Sequence, residues 1–339
     1  MVPIPAFTRM IEKGENISVA SVISHELRND HFAEGVPATG ALYLAPDLST
    51  VSISPRPGRT ASIGDSSDSS LVSNHRWSSV TFETREILLM AEAILRSCSL
   101  AKMQIQVQQF HTESAPGQWE FVLPPYEPLE AVGTLTRARE IINLTTQDYG
   151  YRATLHPRPF KDYPGTGTHI HLSVNSVAQG SSCQTSTPQT DFFFGGIIEH
   201  FASLMAFCLP LDVSYERVAP SILSGGEYFR CGTASPYISL AAILAAGIDG
   251  LSTSIPLTAG HCPGEPSHLT EEERTSIGII NMVPRSLEAS IDHLTSDDML
   301  LHVLGDGFVR PCVAVIKAWN EYLASMDTRT RRGWLLQEY

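Results

Sequence analysis

The chain has 339 residues, of which 42% are hydrophobic and 17% charged, and a formal net charge of −13. Length and balance suit a globular chain of one large and one small domain. The acidic balance argues against non-specific nucleic-acid binding and against an anionic membrane surface, and no run of eighteen apolar residues predicts a membrane span.

The opening residues lack the basic start and long apolar core of a secretory leader. Six cysteines, Cys98, Cys183, Cys208, Cys231, Cys262 and Cys312, are scattered without a CxxC pair. Reduced thiols and a cytoplasmic location are the expectation. In chain order, residues 6–13 read as a helix and 17–24 as strand-like. Residues 42–54 read as strand, turn and strand around Pro46-Asp47. The Ser-, Asp- and Gly-rich run 62–74 buries little and reads as a loop. The expected organisation is a small domain over 1–61, a linker over 62–76 and a large domain over 77–339.

Residues 81–97 place Ile87, Met90, Ala91, Ile94 and Leu95 at helical spacing, with Ser78 or Ser79 as N-cap. Residues 103–108 alternate Met, Ile and Val with Gln, as a half-buried strand does. A helix is predicted over 128–148, ending before Gly150, and strands over 152–156 and 169–175. After a polar loop over 176–190 come an apolar helix over 190–209 and an Ala-rich one over 237–251. Short helices follow over 271–280, 286–293, 308–324 and 328–338. The class is α+β, with strands in the middle and helices around them.

Three sets of residues could carry chemistry. Glu113 and Glu120 flank the turn Ala115-Pro116-Gly117. A hairpin there would aim both carboxylates at one hard cation such as Mg²⁺, or simply leave them as solvated surface. His169 and His171 share one face if their segment is extended, because side chains repeat every second residue. An imidazole there could coordinate a metal or donate to phosphate, or both rings could be ordinary hydrogen-bonded histidines. Gly165 and Gly167 let a backbone approach a ligand closely, or merely start a strand. Arg217 and Arg230 could clamp a carboxylate and a phosphate through paired donors, or pair at the surface.

Longer runs carry a resemblance. They include Trp119-Glu120-Phe121-Val122-Leu123-Pro124-Pro125, Tyr151-Arg152-Ala153-Thr154-Leu155-His156-Pro157-Arg158-Pro159-Phe160, and the glycine-rich stretch from Gly165 to Ser173. Also matching are Ser214-Tyr215-Glu216-Arg217-Val218-Ala219-Pro220, Ala234-Ser235-Pro236-Tyr237 with Ala245-Ala246-Gly247, and the tail Arg331-Arg332-Gly333-Trp334-Leu335-Leu336-Gln337-Glu338-Tyr339. Together they resemble the glutamine synthetase family, most of all its fungal glutamine-synthetase-like members, over nearly the whole chain. The resemblance implies a curved antiparallel sheet with surrounding helices, following a truncated N-terminal β-grasp-like domain.

It also implies a chemistry. ATP phosphorylates a carboxylate of glutamate or a related acid, and ammonia or an amine displaces phosphate, with Mg²⁺ or Mn²⁺ neutralising the phosphates. By position, Glu113, Glu120 and His169 would be metal ligands. His171 and Ser173 would contact the nucleotide, and Gly165 would lie against the amino-acid substrate. Arg217 would hold its carboxylate, and Arg230 would stand near the phosphates. The implied partners are these small molecules and further copies of the chain, since family members form rings with sites between subunits.

Parts of the family pattern are missing. The Glu-x-Glu strand expected before the helix at 81–97 has no counterpart in 66–76. The run Ser224-Gly225-Gly226-Glu227-Tyr228-Phe229-Arg230 fuses an upstream element to a downstream one. The segment lost between them would carry a metal-binding glutamate and phosphate-facing arginines. On the resemblance, the N-terminal element that completes a neighbour's site is also expected to be missing. A weakened ligase is the expected outcome, with a catalytically silent binding or regulatory protein as the alternative.

Overall fold

The computed structural model describes residues 17–20, 41–44, 85–99, 103–112, 117–160, 165–174, 187–217, 231–258, 269–279 and 283–339. The helix expected over 6–13, the linker over 62–76 and most of the loop over 176–190 lie outside these residues. Contacts divide the chain into two units, one joining Met1–Asp65 to Gly307–Met326 and the other joining Ser66–Asp306 to Asp327–Tyr339.

In the first unit, β1 (Ile17–Ala20) pairs antiparallel with β2 (Ala41–Leu44), with Ile17 opposite Leu44. The remaining elements are α1 (Arg85–Ser99), β3 (Gln109–Thr112), β4 (Trp119–Val122), α2 (Pro128–Asp148), α3 (Pro188–Glu199) and α4 (Phe201–Cys208). A 3₁₀ turn, Asp212–Arg217, leads on to α5 (Pro236–Thr253), α6 (Glu271–Ser276), α7 (Leu287–Thr295) and α8 (Asp298–Leu304). Then come α9 (Asp306–Ala324), nearly all of it in the first unit, and α10 (Thr328–Glu338).

Helix ends follow local chemistry. α2 begins with Pro128, whose missing N–H costs nothing in a first turn, and stops at Gly150, where φ is +79°. Thr187, Ser235, Ser286, Asp297 and Asp327 each accept a backbone N–H at the start of a helix. α6 carries a full capping box between Thr270 and Glu273.

The hairpin β3–β4 sits on α1 and α2. Met90, Ile94, Cys98, Ile105, Ala138 and Ile141 form that core, with Trp119 and Phe121 packed against it. Phe110 lies opposite Phe121, their rings stacked at 6.0 Å. Glu120, between Trp119 and Phe121 on β4, therefore faces away from this core. Burial pushes the Cys98 thiol up to about 11, as expected of an inert core cysteine.

Three expectations need correcting. Residues 103–108 alternate in exposure around buried Ile105, but the ladder begins only at Gln109. Residues 152–156 and 169–174 form no strand ladder among the described residues. The apolar run predicted as one helix over 190–209 is two helices, bent by 69° at His200.

That bend has a cause outside its own sequence. His200 contacts Asp297 Oδ2 through Nδ1 at 2.9 Å and Asp249 Oδ2 through Nε2 at 3.3 Å. Burial alone would lower the His200 pKa. The bonds to Asp297 and then Asp249 outweigh it and raise the pKa, favouring the imidazolium. Burial likewise pushes Asp297 up, but His200 and the Leu300 N–H bring it below the usual carboxylate range.

α5 is long and apolar enough by length and composition to cross a membrane, at a mean hydropathy of 1.3, contrary to the expectation that no such segment exists. Its glycine face packs on α3. A Cβ on Gly250 would come within 2.7 Å of Gly196 Cα, so these two backbones touch only because both residues are glycine.

Candidate functional site

The site elements meet at the turn before β4. Gln118 donates from Nε2 to the Gly165 carbonyl at 3.1 Å, tying the hairpin to the glycine-rich stretch. Gln118 and Glu120 are two residues apart at the start of an extended segment and share a face. The face that carries Glu120 is therefore the one turned to Gly165. Arg139 on α2 reaches Thr168 Oγ1 at 3.4 Å and steadies the same stretch from beneath. Gly232 closes in from the other side, where a Cβ would lie 3.3 Å from Thr168 Oγ1 and 3.0 Å from Leu155 Cβ.

From Thr168 to Val174 the chain alternates. His169, His171 and Ser173 are exposed, while Ile170, Leu172 and Val174 are half-buried. The period of two predicted from the sequence is present without a ladder, and it lines up the two imidazoles and the hydroxyl on one open face.

Glu113 and Arg230 lie outside the described residues. Arg217 closes the 3₁₀ turn, which Tyr215 anchors by donating its hydroxyl to Ser290 Oγ at 2.7 Å. Gln118, Arg139 and Thr168 escaped sequence reasoning because nothing in their spacing marks them. Thr168 lies in a quoted run and Gln118 directly precedes another, but a tether through a main-chain carbonyl leaves no motif.

A divalent ion and its nucleotide suit the donors in kind. A carboxylate, an imidazole and a glycine turn match a small hard cation that takes few protein ligands and fills the rest from phosphate and water. Among the described residues no group of three or more His, Cys, Asp or Glu side chains is placed to hold a metal. Glu120 and His169 can supply only part of a coordination shell.

A second cluster lies behind the site, around residues 155–159. His156 is 5% exposed and accepts the Arg158 N–H at Nδ1, 3.0 Å away. Burial, then the charges of Arg332 and Arg331, bring its pKa down to about 4, so the ring is neutral and carries its proton on Nε2. Arg332 donates to the Pro159 carbonyl and the Leu155 N–H to the Tyr339 carbonyl, laying α10 along this segment.

Comparison with known proteins gives the family and the fold. A family model described as "Glutamine synthetase, catalytic domain" matches residues 70–226 and 229–332. The match breaks at Glu227-Tyr228. Protein fluG of Emericella nidulans is 30% identical over 417 positions, covering all of this chain and 47% of that protein. That alignment is longer than the chain, so fluG has positions with no counterpart here. Glutamine synthetase of Thermotoga maritima is 28% identical, covering 74% of this chain and 64% of its own length. Gamma-glutamylpolyamine synthetase GlnA3 of Streptomyces coelicolor is 28% identical over 64% of this chain and 54% of its own. The chain thus spans about half to two thirds of these relatives. Among solved structures, a novel glutamine synthase homolog superposes with a TM-score of 0.76 at 15% identity, covering 100% of this chain and 94% of its own. Apo GmaS gives 0.58 at 24% identity, covering 74% and 64%. At those identities the likeness speaks for the fold, an α+β fold of the glutamine synthetase type.

Proposed function

The chain belongs to the glutamine synthetase family, and on that premise we propose that it is an ATP-dependent carboxylate–amine ligase of reduced power. One observation carries the reading: the Gln118 tether brings the Glu120 face to the glycine turn that leads into His169, His171 and Ser173. In this reading Glu113, Glu120 and His169 hold Mg²⁺ or Mn²⁺, and His171, Ser173 and Arg230 meet the nucleotide. Gly165 and Arg217 receive glutamate or a related acid, and ammonia or an amine completes the reaction. The divalent ions, when bound, neutralise charge on the phosphates. In this reading the chain works in a reducing cytoplasm.

The family match is interrupted at Glu227-Tyr228, and in this reading that interruption marks the loss of a segment with phosphate-facing arginines, which would reduce power. Such donors are worth a factor of about 10³ or more in phosphoryl transfer. The same interruption favours the second reading, a silent relative that keeps the fold to bind or regulate.

Two measurements test this. Mg²⁺ with ATP should raise the melting temperature, since a ligand bound only by the folded chain stabilises it. His171→Ala should weaken that shift. A γ-glutamyl hydroxamate assay should then show slow turnover; none at all selects the silent relative. No shift with metal and nucleotide, or a transcript carrying further coding sequence between Tyr228 and Phe229, overturns the reading.

A further inference from the structure

The 3₁₀ turn Asp212–Arg217 is held at both ends by arginines from elsewhere in the chain. At its first residue, the Arg331 guanidinium on α10 pairs with the Asp212 carboxylate, whose Oδ1 also accepts the Val213 N–H at 2.7 Å. At its far end, Arg158 Nη1 donates to the Glu216 carbonyl at 2.8 Å, one residue before Arg217. Between them Ser214 and Tyr215 are buried.

We propose that Arg158 and Arg331 are positioning residues that hold this turn so that Arg217 meets the carboxylate of the acid substrate at a fixed place. The proposal rests on the role given to Arg217 above. A six-residue 3₁₀ segment has strained hydrogen bonds and does not keep its shape unaided. Its last residue is also the one whose placement matters. Arg331 is 20% exposed and so is partly shielded from the screening that weakens open surface pairs.

The two arginines share a base. Arg158 is the second residue after His156, whose ring accepts the Arg158 N–H. The neighbour of Arg331, Arg332, donates to the Pro159 carbonyl. α10 and the segment around His156 therefore form one clamp, closed on the turn from two sides. Asp212 stands before the resembling Ser214–Pro220 run, so the turn's outer anchor is not part of the substrate-facing motif.

The test uses the full chain and three readings: calorimetric affinity for L-glutamate with Mg²⁺ and ADP present, affinity for Mg²⁺ and ADP alone, and hydrogen exchange in the peptide spanning 212–217. Arg331→Ala should weaken L-glutamate binding about ten-fold or more, as a misplaced binding group does. Nucleotide affinity should stay at the wild-type value, and exchange should rise in 212–217. The swap Arg331→Asp with Asp212→Arg should restore both glutamate binding and protection. Arg158→Met should reproduce the first variant and serves if that one folds poorly. Unchanged glutamate affinity in both single variants, while Arg217→Ala abolishes it, overturns the positioning role and leaves the Arg217 reading intact. Wild-type affinity in Arg217→Ala removes that reading, and the positioning role with it. Unchanged exchange in 212–217 in the single variants overturns the clamp itself.

Discussion

Protonating His156 should loosen the clamp that α10 makes with residues 155–159. The ring is buried and neutral, with its pKa lowered from 6.5 to about 4 by burial and by Arg332 and Arg331. A depressed pKa means that the unfolded chain takes up a proton before the folded one does. The contribution is therefore fully present above pH 6.5 and is lost as the pH falls toward about 4. At 1.36 kcal/mol per unit, the loss from this one group reaches about 2 kcal/mol by pH 5 and about 3 kcal/mol at pH 4. Below pH 4 it grows little further. The assay is paired urea denaturation of wild type and His156→Asn from pH 7 to pH 4, beside an NMR titration of the ring. Asparagine keeps an acceptor near Nδ1 for the Arg158 N–H but cannot titrate. The gap between the two stability curves should close, or change sign, as the pH drops. A ring that titrates at 6 or above, or two curves that stay parallel, refutes the reasoning.

Other outcomes follow from the same coordinates. His200 runs the opposite way: its raised pKa gives stability that is complete below about 6.5 and fades as the pH rises through the folded value. Lowered Asp297 instead makes its contribution above about 3.8 and loses it in acid. His200→Ala should cost about 3 kcal/mol near pH 6, by leaving two carboxylates without their cation, and denaturation at that pH reads it. Gly250→Ala should cost roughly 3 kcal/mol or prevent folding, because its Cβ meets the α3 backbone; soluble yield and melting temperature check this. Gln118→Ala should cut affinity for Mg²⁺ and ATP while the melting temperature without ligand moves by less than about 1.5 kcal/mol in equivalent stability, the worth of one hydrogen bond. Equal ligand shifts in mutant and wild type would detach the hairpin from the site.

Where local chemistry decides an element, sequence and structure agree. Pro128 and Gly150 bracket α2 at its predicted limits, and α10 follows its Asp327 cap. α8 went unread, because a helix of seven residues leaves little periodicity to detect. The bend at His200 was invisible for a different reason: the residue that fixes it, Asp297, is 97 positions away. Strands fared worse than helices, since an extended segment such as 169–174 shows its alternation in one chain but needs a partner for a ladder. The histidine face was legible from that alternation alone. The arginines behind Arg217 were not, although Arg158, Arg331 and Arg332 all lie in runs that carry the family resemblance. Their targets are a carboxylate and two carbonyls far off in sequence, and no spacing rule points to such partners.

The Arg331–Asp212 pair joins positions 119 residues apart. A ribosome makes Asp212 well before the residue that secures it, so for that stretch of synthesis the turn at Arg217 has no outer hold. A premature stop codon just before Arg331 would release a product with its helical scaffold largely built and the turn at Arg217 untethered at its outer end. Synthesis of α10 then acts as a late step in fixing that turn.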